Sequence, residues 1–144
     1  MKPVIRFYEP YAVSENAYLY AVIVARYRNQ WVLVRHKERE TWEIPGGHKE
    51  AHEGIDETAA RELTEQTGAS AFDLLPVCAY SVDRGEGETF GHLFFAEIHD
   101  LGALPESEIA EVRLMDDLPN SLTYPDIQPA LFEKVKSVIL PESK

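Results

Sequence analysis

The chain has 144 residues, 44% hydrophobic and 27% charged, the balance of a folded globular domain rather than a disordered or fibrous chain. Lys and Arg number 14 against 25 Asp and Glu, and the resulting net charge of −11 excludes broad electrostatic binding to a nucleic-acid duplex or an anionic membrane. The single cysteine, Cys78, excludes an intrachain disulfide framework.

This length suits one domain over residues 1–144. No apolar run approaches the roughly 18 residues of a membrane helix, and Met1 to Pro10 has no signal-peptide core, so the cytoplasm is the expected address. The run Ala17 to Ala25, rich in Val, Ile and Tyr, predicts a buried strand. Arg28-Asn29-Gln30 predicts a turn into a second strand, Trp31 to Arg35, and so a hairpin. A short strand, Thr41 to Ile44, is expected to run into Pro45-Gly46-Gly47.

Gly54 to Gln66 has no proline, and Ile55, Ala59 and Leu63 recur at helical spacing, which predicts an amphipathic helix stopped by Gly68. Strands are expected over Leu75 to Val82, Thr89 to Ile98 and Val112 to Met115, with a hairpin tip across Gly85 to Gly91. Cys78 falls in the first of these and reads as a buried structural thiol. Ile127 to Ile139 repeats the helical pattern through Ala130, Leu131, Val135 and Val138. Many strands with a central and a terminal helix imply an α/β fold, a mixed sheet covered by helices.

The chemistry concentrates between Gly46 and Ala69. Helical spacing brings Glu62, Glu65 and Gln66 to one face, and adjacent carboxylates repel unless a cation lies between them. A hard divalent ion such as Mg²⁺ suits that position, because it takes carboxylate and carbonyl oxygen and shares its other sites with water and phosphate. Gly46 and Gly47 let backbone carbonyls approach it. Arg61 has two available roles, pairing with Glu57 one turn earlier or folding over a neighbouring carboxylate.

Gly47, five residues, Glu53, seven residues, then Arg61-Glu62-Leu63-Thr64-Glu65-Gln66-Thr67-Gly68-Ala69 resembles the Nudix box, and Trp42-Glu43-Ile44-Pro45-Gly46 looks like the approach to it. The box, over 47–69, departs from the family pattern at one site: Gln66 stands where a second adjacent glutamate is expected.

The resemblance implies an α/β/α sandwich around a mixed β-sheet. It implies hydrolysis of a nucleoside diphosphate linked to another group, with Mg²⁺ or Mn²⁺ as cofactor. The metal would be held by the Gly47 carbonyl, Glu62 and Glu65, with Gln66 offering a neutral amide oxygen. Glu65 and Glu62 are competing candidates for the general base, Glu108 is a third, and Glu53 reads as support for the metal site. Arg35 is a candidate for substrate phosphate, and Tyr80, Phe90, Phe94 and Tyr124 for a nucleobase.

His48 and His52 stand four apart, but Lys49 occupies the place of a zinc-site glutamate, so zinc is not expected. The expected partner is a small nucleotide, with a monomer and a homodimer both open. Among small family members the substrate implied is a nucleoside triphosphate, oxidised purine forms included. The alternative is a nucleotide-binding module of the same fold that does not hydrolyse.

Overall fold

The computed structural model describes residues 2–140. Strands β1 (Val4–Tyr8), β2 (Tyr18–Tyr27), β3 (Gln30–His36), β4 (Gly46–His48), β5 (Ala69–Asp83), β6 (Glu88–Leu101) and β7 (Ile109–Met115) form one sheet. Its order is β1-β5-β6-β2-β3-β7, with the short β4 also paired to β2. The β2–β6 pair is parallel and the other strand pairs are antiparallel, so the sheet is mixed. Helices α1 (Ile55–Thr67) and α2 (Gln128–Ile139) cover its opposite faces.

Period-two alternation along β2 decides which side chain meets which helix. Val22 and Val24 pack with Leu131, Phe132 and Val135 of α2. Ala21, Ile23 and Ala25 pack with Ile55, Ala59 and Leu63 of α1. A strand buried on both faces reads as a continuous apolar run, which is why β2 is legible in the sequence. The β2–β3 loop has φ 52° at Arg28 and 67° at Asn29, the two left-handed residues of a type I′ hairpin turn.

Both ends of α1 are held by carboxylate and glycine chemistry. Glu57 Oε1 accepts the Gly54 N–H at 2.8 Å, and Glu15 Oε2 accepts the Ile55 N–H at 2.6 Å. Two carboxylates therefore satisfy N–H groups at the positive end of the helix. At the other end Gly68 turns at φ 83°, where a Cβ would fall 2.5 Å from the Ala103 carbonyl oxygen. The expected helix stop is thus a steric requirement.

Several boundaries differ from expectation. Residues 41–44 make isolated bridges rather than a ladder, because their backbone bonds go to three places: Trp42 to Ser121 and Thr123, Glu43 to Val34, and Ile44 to a side chain of α2. The glycines that follow are themselves the strand. β5 starts directly after Gly68, and its register with β6 shifts around Pro76, where the ladder loses an N–H. β7 begins at Ile109 rather than Val112, and β1, Val-Ile-Arg-Phe-Tyr, adds an edge strand that was not expected. Cys78 is buried, and burial pushes its thiol up to about 11, in keeping with a structural role. Among the described residues no helix is long and apolar enough to cross a membrane.

Candidate functional site

The first turn of β4 against α1 sets the site. A Cβ on Gly46 would fall 2.4 Å from the Ala21 carbonyl oxygen, and one on Gly47 would fall 2.1 Å from Glu62 Oε2. At residue 46 the obstacle is the β2 backbone, so only glycine fits there, whereas at residue 47 it is the end of the Glu62 side chain. Glu62 and Gln66 face inward and are buried, whereas the Glu65 side chain is 52% exposed. The helical face expected from the sequence therefore exists, with its three members at unequal depths.

Arg61 resolves into the second of its two expected roles. Its guanidinium meets Glu53 through Nε and Nη2, donates from Nη2 to the His48 carbonyl at 3.1 Å, and from Nη1 to Glu62 and Glu65 at 3.2 Å each. Glu57 caps the helix instead. Glu53 also accepts from the Glu50 N–H and the Thr58 hydroxyl, so its two oxygens are fully engaged. The Arg61 hydrogen bonds are the main reason its carboxyl is held down at about 2. Glu53 does not line the cavity described below; it fastens the 48–53 loop to the helix.

Glu62 behaves in the opposite way. Burial pushes its carboxyl up to about 7; Arg61 opposes the shift, while Glu65 and Glu108 add to it. Glu62 has one positive partner, Arg61 at 3.2 Å, against two carboxylates whose charge adds to its own. Gln66, 3% exposed, accepts the Gly46 N–H on Oε1 at 3.1 Å. That bond engages one of the two lone pairs of the amide oxygen expected to be offered to a metal, and ties residue 66 to the β4 backbone.

Part of this set opens on a cavity of about 550 Å³ lined by residues of the sheet, α1 and α2, within the usual size range of small-molecule sites; Glu53, Arg61 and Glu65 do not line it. Gly47, Glu62, Gln66 and Glu108 line it. Arg35 does not; it bonds the Arg39 carbonyl at 2.9 Å and Glu111 at 3.4 Å. Arg39 and Arg84 are the arginines at the wall. Of the aromatic candidates Tyr80 and Tyr124 line the cavity, as does Tyr20, while Phe94 belongs to the core under α1 and Phe90 packs against it. Sequence reasoning missed Tyr20, Arg39, Arg84 and Gln128, because each comes from a different segment and none belongs to a spaced motif. Among the described residues no three His, Cys, Asp or Glu side chains already form a metal cage, His48 and His52 included.

Residues 17–133 match the NUDIX domain family, a span that contains every residue lining the cavity. The chain belongs to that family. As a NUDIX domain it is 31% identical over 104 residues to the provisionally named 8-oxo-dGTP diphosphatase YtkD of Bacillus subtilis, covering 70% of this chain and 64% of that protein. It is 37% identical over 79 residues to a Bacillus subtilis ADP-ribose pyrophosphatase, covering 52% of this chain and 43% of that one. The chain thus spans under two-thirds of the length of these curated relatives. Its NUDIX fold superposes on the Bacillus subtilis pyrophosphohydrolase BsRppH with TM-score 0.78 at 24% identity, covering 96% of this chain and 93% of that one. The NUDIX domain of Shewanella oneidensis NrtR, solved with ADP ribose, gives TM-score 0.66 at 18% identity, covering 91% and 93%.

Proposed function

We propose that this chain hydrolyses a nucleoside diphosphate linked to another group, with a nucleoside triphosphate, oxidised purine forms included, as the leading substrate. The products would be a nucleoside monophosphate and pyrophosphate. The observation that carries this reading is Glu62: a buried carboxylate that lines a nucleotide-sized cavity against the Gly47 backbone, flanked by Glu65 and Glu108. The names of the relatives that match at 31% and 37% identity point the same way.

The donors fit a hard divalent cation, Mg²⁺ or Mn²⁺. All are oxygens, two are carboxylates, and such ions are commonly held by one or two carboxylates with phosphate and water completing the shell. Glu62, Glu65 and the Gly47 carbonyl would hold it, and Gln66 would position Gly46 and Gly47 rather than ligate. A bound cation supplies charge screening for the phosphates and acidifies a water molecule.

Arg61 keeps Glu62 and Glu65 aimed at a common point, and Glu53 keeps Arg61 in place. Either Glu65 or Glu108 takes the proton of the attacking water as its oxygen bonds to phosphorus and the phosphoanhydride bond opposite breaks. Arg39 and Arg84 offer positive charge to the remaining phosphates. A net charge of −11 suits a small, metal-neutralised nucleotide and not a duplex, and the cytoplasm suits such a substrate.

The test is a nucleotide panel with and without Mg²⁺ or Mn²⁺, its products separated by chromatography. Metal-dependent release of monophosphate is expected. Binding without product across the panel would favour the binding module, a reading that Gln66 keeps open because it removes one carboxylate from the box.

A further inference from the structure

Gln128 opens α2 and is 6% exposed. Its Oε1 accepts the Ile44 N–H at 2.8 Å, one of the backbone groups that leaves the β4 approach without a ladder partner. This bond fixes the direction of the carboxamide, since turning it over would set an NH2 group against an N–H. Nε2 must therefore point away from Ile44. It has no acceptor among the described residues, and it is not sealed off: the one enclosed side-chain polar atom without a partner is the Tyr18 hydroxyl. Gln128 lines the cavity, so this NH2 opens into it.

The cavity wall is mixed, with His36, Arg39, Glu43 and Tyr124 on it beside a set of apolar groups. Val22, Ile44, Val82, Ile127 and Leu131 line the same cavity, with the buried ring of Tyr80 beside them. The Glu62 carboxylate, against the Gly47 backbone, belongs to the β4–α1 side. The apolar part of this wall, with a carboxamide donor fixed by its own backbone bond, suits a flat heterocycle carrying a carbonyl on its edge. A ligand that places an acceptor there completes the donor, whereas one that places an amino group there leaves two donors facing each other and unsatisfied.

We propose that Gln128 reads the nucleobase: Nε2 donates to a ring carbonyl oxygen, so that keto bases are taken in preference to amino bases. This rests on the nucleotide reading above and adds the residue and chemical group that would set base choice.

The experiment compares inosine and adenosine monophosphates, which differ at position 6, oxo against amino, and in the N1 proton that accompanies the oxo form, by calorimetry on the full chain with Mg²⁺. Wild type is expected to favour the inosine nucleotide by about tenfold or more, the scale of discrimination when a buried donor goes unmatched. Gln128→Glu keeps an oxygen for the Ile44 N–H and turns the cavity side from donor to acceptor. It is expected to change the preference ratio by at least about tenfold toward adenosine, with little change in melting temperature. A wild type without preference, or one that binds neither nucleotide, overturns the proposal whether or not the variant folds. So does a ratio that moves less than about twofold in a folded variant. Hydrolysis by wild type alongside an unmoved ratio sinks only the base-reading role; an inverted ratio without hydrolysis by wild type sinks only the enzymatic reading.

Discussion

The backbone of Gly47 lies against the carboxylate of Glu62 so closely that a single added carbon on residue 47 would sit 2.1 Å from Glu62 Oε2. Gly47→Ala is therefore expected to push Glu62 out of its position. The clash is with the end of a flexible side chain, so folding should change by no more than about 1 kcal/mol. Metal affinity and turnover should each fall by about tenfold or more, because the carbonyl and carboxylate donors no longer share one point. Thermal melts beside a metal titration of activity check both halves; unchanged metal affinity would remove Gly47 from the site.

Glu65 is half exposed and anchored on one oxygen by Arg61, so Glu65→Gln should leave the fold intact. Turnover should drop by about a hundredfold or more, since the change removes a metal charge and a candidate base. Glu108→Gln separates the two assignments. If Glu108 takes the proton its loss falls mainly on turnover at saturating metal. An effect below about twofold returns the base to the helix.

In chelator-treated protein Glu62 should make stability fall as pH rises. Its folded carboxyl is raised from an ordinary 4.5 to about 7, so its stabilising share is full below about 4.5 and is lost as pH climbs through 7. The size of that loss is on the order of 3 kcal/mol. Glu53, held down at about 2, acts in a lower window: its share is present above 4.5 and is lost as pH falls toward 2. Buried His92, whose pKa is lowered by desolvation, adds stability as pH rises toward its ordinary 6.5, and that share is constant above it. The measurement is thus the difference between wild type and Glu62→Gln from pH 4 to 8, in which the His92 share cancels. A flat difference curve contradicts the burial of Glu62.

Gln66→Glu restores the residue of the family pattern. One oxygen would keep the Gly46 N–H bond, and the other would replace the NH2 group with a carboxylate oxygen beside Glu62. Mg²⁺ should bind more tightly and turnover at limiting metal should rise. Without metal the extra negative charge should lower the melting temperature, and Mg²⁺ should reverse that loss. Metal titration and melts of both proteins decide it; no change in either means that residue 66 acts only through the backbone of β4.

Several features were legible in the residues alone. The two-sided burial of β2, the four-residue apolar spacing of α1 and the Gly68 stop are local patterns, set by strand and helix periods and by the one residue tolerant of φ 83°. The box spacing brought Gly47, Glu53, Arg61, Glu62 and Glu65 into one argument because its order is fixed along the chain. What the chain order could not decide is which atom of a polar side chain is already taken. Gln66 and Gln128 each give their oxygen to a backbone N–H on either side of Pro45, at Gly46 and at Ile44, from helices on opposite faces of the sheet. Arg35 turns to Glu111 while Arg39 and Arg84 reach the cavity, for the same reason. A backbone N–H without a ladder partner must be satisfied by whatever the fold brings within about 3 Å, and that choice exists only once the sheet has closed between its helices.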